Sequence, residues 1–188
     1  LLDAERPDRE ALARQLGPFL EALHATPLDA AEQVVEIDDT PHAEYLDGAR
    51  ADADALVGRV DEHLLAAVRR SLAGPPPPDP PPRAVRLCHN DLGAEHLLVS
   101  GASVLRGVID WSDAALTDRA RDYGKLVRDL GLGPIGPLMA RAAADDPGLV
   151  ARALFHARCS LVEDLRYGLD TGDHRYSTAA TARLAALS

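Results

Sequence analysis

The chain has 188 residues, enough for one domain or one large lobe with a real core. A formal net charge of −10 argues against a nucleic-acid partner, which needs a basic stripe, and favours a neutral or cationic small-molecule partner, although a solvated acidic surface is the commoner reason for such a charge. No apolar run approaches the ~20 residues of a membrane span and no signal peptide is visible, so no membrane association is expected and the cytoplasm is the expected compartment.

Residues 9–24 place Leu12, Leu16, Leu20 and Leu23 at helical spacing, with Gly17-Pro18 expected to kink or split the helix. From about 43 to 72 a longer apolar stripe runs through Leu46, Leu56, Val60, Leu64, Val68 and Leu72. His42 and His63 lie on or near it as lone histidines, suited to surface or satisfied-core positions. The run GPPPPDPPP, 74–82, is an extended, semi-rigid connector rather than a domain boundary. Beyond it the period changes. Val85 and Leu87 alternate, Leu97-Leu98-Val99 is a short apolar run, 100–103 reads as a turn, and Val104 to Ile109 returns, which predicts a hairpin over 97–110. Helical patterning resumes at 120–131 and 136–144. A long helix is predicted over 148–168 with Gly168 as its stop, and an Ala-rich helix over 176–187. Few aromatics and many Ala and Leu residues predict a mainly α fold with a small β-hairpin. Cys88 and Cys159 sit in apolar contexts without metal-like spacing and read as buried free thiols.

The polar chemistry is concentrated in LCHNDLGAEHLLVSGASVLRGVIDW, 87–111. His89-Asn90-Asp91 follows a strand end, Asp91 opens a loop that ends at His96, and Asp110 closes the second hairpin strand. If the strands pair around the turn, His96 and Asp110 lie side by side and Asp91 faces them. That sets a carboxylate able to accept a proton beside two groups able to hold a hard cation. Taken singly, Asp91 could be a turn residue, Asp110 a strand-end cap and His96 a core histidine. Glu95, Asp113 and Asp118 read as solvated or capping residues, with Asp113 also able to touch a substrate.

These spacings resemble the kinase catalytic loop H-R-D-L-x-x-x-N and its following metal-binding Asp. The run His89-Asn90-Asp91-Leu92-x-x-x-His96, with Asp110 and the segment GVIDWSDAALTDRARDYG (107–124), is similar to the shorter form found in the aminoglycoside phosphotransferase family, macrolide phosphotransferases being close. ALARQLGPFLEALHAT (11–26) matches the first helix of that family's C-terminal lobe. The resemblance implies a protein kinase-like C-terminal helical lobe spanning 1–188. Its parts are a helical part (1–73), a Pro-rich connector (74–84), catalytic and metal-binding loops on a β-hairpin (85–122), and a helical substrate-side part (123–188).

It also implies roles. Asp91 takes the proton of a substrate hydroxyl, His96 and Asp110 hold Mg²⁺, His89 braces the loop, and Asp122 ties the loop to a helix. Acids on the helices after the metal loop, Asp129, Glu163 and Asp164, would meet a cationic acceptor, although Glu163 and Asp164 can equally pair along their own helix. The donor would be ATP or GTP. No G-x-G-x-x-G or Walker-type loop is present and no lysine precedes Lys125, so the nucleotide-covering N-terminal lobe is missing from this sequence and is expected in cis or in trans. Alone, the chain is expected to be weakly active or inactive. A non-catalytic binding module derived from the same fold and a metal-dependent phosphoesterase are the competing readings.

Overall fold

A computed structural model describes residues 7–101 and 103–187. Residues 1–6 of the expected helical part, Ala102 of the expected turn and Ser188 lie outside the described residues. The elements are α1 (Arg9–His24), α2 (Leu28–Ala31), α3 (His42–Ala55), α4 (Glu62–Ser71), β1 (Val85–Cys88), β2 (Leu97–Ser100), β3 (Val104–Val108), β4 (Ala115–Asp118), α5 (Ala120–Leu130), α6 (Leu132–Ala142), α7 (Leu149–Thr171) and α8 (His174–Leu187). Among the described residues no helix is long and apolar enough to cross a membrane.

Two apolar cores meet on α7. One joins Leu12, Leu16 and Leu20 of α1 to Leu126 and Leu130 of α5, Ile135 and Met139 of α6, and Leu149 and Ala153 of α7. The other joins Leu46 of α3 and Val68 of α4 to Phe155, Val162 and Leu165 of α7 and to Ala180 and Leu184 of α8. A helix apolar on both faces is buried between its neighbours, and α7 is the shared wall of both cores. Cys88 and Cys159 are buried free thiols, one on β1 and one on α7.

Several boundaries differ from the sequence reading for physical reasons. Gly17-Pro18 does not split α1: Gly17 lies where an added Cβ would stand 3.0 Å from Leu138, and the helix continues to His24. The stripe over 43–72 is two helices, separated where Gly58 adopts φ 72° and Asp61 caps α4 by accepting from the Leu64 amide. The short α2 carries too little periodicity to be read. Helix α6 begins at Leu132, earlier than expected: Pro134 falls in its first turn, where no intrahelical N–H bond is lost, and Pro137 is carried inside the helix. Gly168 is not a stop. A Cβ there would meet the Ser177 backbone N at 2.6 Å, so the glycine lets α8 fold back onto α7, which ends instead at Gly172 in the left-handed conformation, φ 75°.

The expected hairpin is present, with Leu97 opposite Val108 and Ser100 opposite Val104, and an irregularity between Leu98 and Val99. A second two-stranded sheet is unexpected. Strand β4 pairs antiparallel with β1, Val85 opposite Asp118 and Cys88 opposite Ala115, and Ile37 bridges to Leu116. This sheet holds the start of the polar loop against α5.

Where α3 meets α7, the rings of His42, Tyr45 and Phe155 surround His156, whose Nε2 is buried without a hydrogen-bond partner among the described residues. Burial, then the neighbouring His42 and Arg121, lowers its pKa to about 3. The unfolded chain therefore takes up this proton near pH 6.5 and the folded one does not, so the associated stability is full above pH 6.5 and falls as pH drops towards 3. Between pH 7 and 4.5, His156→Phe is expected to lose about 2–3 kcal/mol less stability than the parent, read from urea midpoints at the two pH values.

Candidate active site

The polar loop leaves β1 at Cys88 and is fixed from below by one carboxylate. Asp122, fully buried in the first turn of α5, accepts the amides of His89 (3.2 Å) and Asn90 (2.9 Å) and lies 3.0 Å from Nε2 of His24 on α1. Three partners around one buried carboxylate fix the loop to two helices at once. Asn90 turns the chain with φ 69°, a left-handed conformation that a side chain other than glycine adopts at a cost. Its amide side chain bridges Asp38 and Arg121, and Arg121 forms an ion pair with Asp38. Asp38 sits near 2 because Arg121 and Thr40 outweigh its partial burial. His89 is buried, with Nε2 3.0 Å from the Ile109 carbonyl and its ring against Trp111. The carbonyl can only accept, so Nε2 carries the proton and the ring ties the loop to the end of the hairpin.

Beyond this foundation the structure brings Asp91, His96 and Asp110 together. His96 Nδ1 donates to the Asp91 carbonyl at 2.7 Å and lies 3.6 Å from Asp91 Oδ2. Its Nε2 lies 3.6 Å from Asp110 Oδ2, while Asp110 Oδ1 accepts from Ser112 Oγ at 2.7 Å. Asp110 itself has φ 61°, a strained backbone of the kind found at functional positions. The Ser112 hydrogen bonds hold the Asp110 carboxyl below its ordinary range. Burial raises Asp91, but Lys125, Arg128 and His96 outweigh it and the net direction is downward. Both carboxyl groups are thus held in their charged form.

Asp91 lies on the lip of a cleft of about 1450 Å³ between residues 32–40, α3 and α7. Eleven carboxylates line it against three cations, Arg121, Lys125 and Arg128. Of the acids expected to meet a substrate, Asp113, Glu163 and Asp164 line the cleft and Asp129 does not. Asp129 accepts the Ala94 amide at 2.6 Å and pairs with Arg128, so it braces the loop. Arg128, almost fully buried, also pairs with Glu95 (3.1 Å) and Asp164 (3.3 Å). Burial pushes Asp164 up to about 7, helped by the neighbouring carboxylates Asp129 and Glu95 and only partly opposed by Arg128 and Lys125. Glu163 is exposed and free of ion pairs among the described residues, whereas Arg166 pairs with Asp52 and Asp170 instead. Glu95 is therefore not a merely solvated acid. Asp118 is buried: it caps α5 through the Ala120 amide and pairs with Arg152.

Lys125 escaped the sequence reading. Its Nζ lies 2.9 Å from Asp91 Oδ1. The signal available was its position: Asp122, Lys125 and Asp129 stand at i, i+3 and i+7 on one face of α5, the face that meets the polar loop. His24, the last residue of the first predicted helix, gave no such signal, since its partner is 98 residues away.

Two nitrogen and oxygen donors facing each other suit a cation. With Nδ1 of His96 committed as donor to a carbonyl, Nε2 is the ring nitrogen left to face Oδ2 of Asp110, and it offers a lone pair there whenever the ring is neutral. Donor atoms of Asp91, Glu95 and His96 also lie within 4.8 Å of one another.

The description of the family model that matches residues 2–156 is phosphotransferase enzyme family. Among solved structures, the chain is similar to the GDP and kanamycin complex of APH(2")-IIia, at 26% identity and a TM-score of 0.65 over 97% of this chain and 64% of that one. It is similar to macrolide 2'-phosphotransferase type I at 25% identity and a TM-score of 0.57, over 96% of this chain and 63% of that one. It is also similar to the GDP complex of wild-type aminoglycoside 2'-phosphotransferase-IIIa at 25% identity and a TM-score of 0.62, over 96% and 63% of the two chains. The chain thus spans a little under two thirds of the length of these proteins. With a mainly helical, kinase-like fold and a family match over most of its length, the chain belongs to the phosphotransferase enzyme family.

Proposed function

We propose that the chain is the catalytic, acceptor-binding C-terminal lobe of an ATP- or GTP-dependent enzyme that phosphorylates a hydroxyl of a small cationic molecule, most simply an aminoglycoside-like antibiotic. The observation that carries this reading is the convergence of His96 and Asp110 on Asp91, which lines a cleft rich in carboxylates that have no ion pair among the described residues. Support for a nucleotide donor comes from relatives bound to GDP, and support for a cationic acceptor from the relative bound to kanamycin.

In this reading the chain's own groups divide the work. Asp91 receives the hydroxyl proton as the acceptor oxygen forms its bond to the γ-phosphorus. The bond from that phosphorus to the β-phosphate oxygen breaks, and a nucleoside diphosphate leaves. His96 and Asp110 would hold Mg²⁺, which when bound offsets the charge on the phosphates. His89 and Asp122 keep the loop in place, and Asp113, Glu163 and Asp164 face the acceptor's ammonium groups. The nucleotide-covering lobe would be supplied in cis or in trans.

The test is acceptor-dependent nucleoside diphosphate release by the full-length protein with Mg²⁺, kanamycin and a macrolide being assayed separately. Transfer to either is the expected result, with His96→Asn retaining it, since an amide oxygen is the better Mg²⁺ ligand. Unchanged turnover in His96→Ala removes the ligand assignment. Acceptor binding without diphosphate release would favour the non-catalytic binding module.

A further inference from the structure

The chain holds nineteen arginines and one lysine, and the lysine is the residue that contacts Asp91. An arginine fork presents paired N–H groups that match both oxygens of a carboxylate, as Arg152 does with Asp118 at 2.6 and 3.2 Å. An ammonium is a point charge that can be satisfied on one oxygen. At Asp91 the ammonium sits on Oδ1, and among the described residues Oδ2 keeps only the 3.6 Å approach of a His96 nitrogen already committed to a carbonyl.

The surroundings give that single contact a purpose. Six of the eleven carboxylates that line the cleft, Glu36, Glu44 and Glu163 among them, carry no ion pair among the described residues, so the cleft attracts ammonium groups throughout. Without Lys125, the half-buried Asp91 would be another such attractor, and an acceptor amine bound there would displace the hydroxyl that has to react. Lys125 comes from the rigid α5 rather than from the loop, and its side chain is only 21% exposed, so its position is set before any acceptor arrives.

We infer that Lys125 is a positioning and specificity residue: it occupies one oxygen of Asp91 to exclude substrate ammonium groups and leaves the other oxygen for the reacting hydroxyl. This rests on the role proposed for Asp91 above and adds to it which functional group of a polyamine-like acceptor is admitted to that carboxylate.

The experiment uses the full-length enzyme and three variants, Lys125→Met, Lys125→Arg and Asp91→Asn, with 1,3-diaminopropane as the amine probe. Lys125→Met is expected to lose at least about tenfold in kcat with KM for the amine-bearing acceptor lowered alongside it, the pattern of unproductive binding. In the same variant the diamine becomes a competitive inhibitor at concentrations that leave the parent unaffected, and calorimetry shows the diamine binding directly. Lys125→Arg is expected to lose kcat without gaining diamine inhibition, because the fork covers both oxygens. Unchanged kcat in Lys125→Met, a raised KM at constant kcat, or a fall in kcat without diamine inhibition each overturns the inference. If Lys125→Met does not reach the parent's thermal midpoint, Lys125→Gln takes its place with the same expected outcomes. Persistent turnover in Asp91→Asn overturns the role of Asp91 itself. An inactive Asp91→Asn beside an unaffected Lys125→Met overturns only the assignment of the lysine.

Discussion

Asp91→Asn is expected to lower turnover in the proposed phosphoryl transfer by about 10²–10⁴-fold, the range attributed to a well-placed general base. The amide fills the same space but cannot take up the hydroxyl proton. Stability should change little, because Asp91 and Lys125 are both partly exposed and such an ion pair contributes about 1 kcal/mol or less. For a chain of this size that corresponds to a shift in Tm of about 2–4 °C. Nucleotide affinity should be retained, because Asp91 is assigned to the acceptor. Single-turnover kinetics beside calorimetric nucleotide titration separates the cases: lost chemistry with retained binding is expected, and parallel loss of both would mean that Asp91 shapes the loop instead.

Arg152→Met carries the largest expected effect on folding. Arg152 lies on α7 and donates two hydrogen bonds each to Asp118 and Asp146, at 2.6–3.2 Å, and all three side chains are at most 4% exposed. Methionine preserves the stem and removes the charge, leaving two buried carboxylates whose remaining ionic neighbours among the described residues are His42 for Asp118 and Arg119 for Asp146, beside the Ala120 amide on Asp118. Removing one partner of a buried ionic cluster costs about 3–5 kcal/mol. The pH dependence has a definite sign. Burial alone would raise Asp118, but hydrogen bonds from His42 and Arg152 outweigh it and bring the carboxyl to about 2. Its contribution, about 2 kcal/mol, is therefore full above pH ~4 and lost as pH falls through 2. The penalty of Arg152→Met should accordingly be larger at pH 7 than at pH 3, where protonation relieves the orphaned acids. Urea unfolding at both pH values reads this directly, and an equal penalty at both would mean that packing, not charge, is what Arg152 supplies.

What could be read from the sequence was what short separations determine. The hairpin and the meeting of His96 with Asp110 follow from a two-residue period and a tight turn, so the polar cluster was visible before any tertiary contact was known. Strand β4 was not visible. Ala-Leu-Thr-Asp is too short to display alternation, and its partner β1 lies about thirty positions earlier. Gly168 was misread because glycine marks both helix ends and close helix crossings, and only the position of α8 distinguishes them. The acids after the metal loop were legible as acids. Their different fates depend on Arg128, a buried cation whose three partners come from the loop, α5 and α7. Lys125 depended in the same way on a contact between a helix and a loop 34 positions apart in sequence.

Seven of the nine residues from 74 to 82 are prolines, so the link from α4 towards β1 brings very few amide hydrogens that require an acceptor. Extended backbone laid open on a surface ordinarily invites a foreign strand to zip onto it; this stretch offers almost nothing to zip. The rings also keep the unfolded chain nearly as straight as the folded one, so anchoring it through the His42 amide to Asp79 and through the His42 ring to the Pro77 carbonyl surrenders little freedom. The molecule spans the gap between its helices and its small sheets with a strut whose stiffness is covalent, independent of any ladder or core.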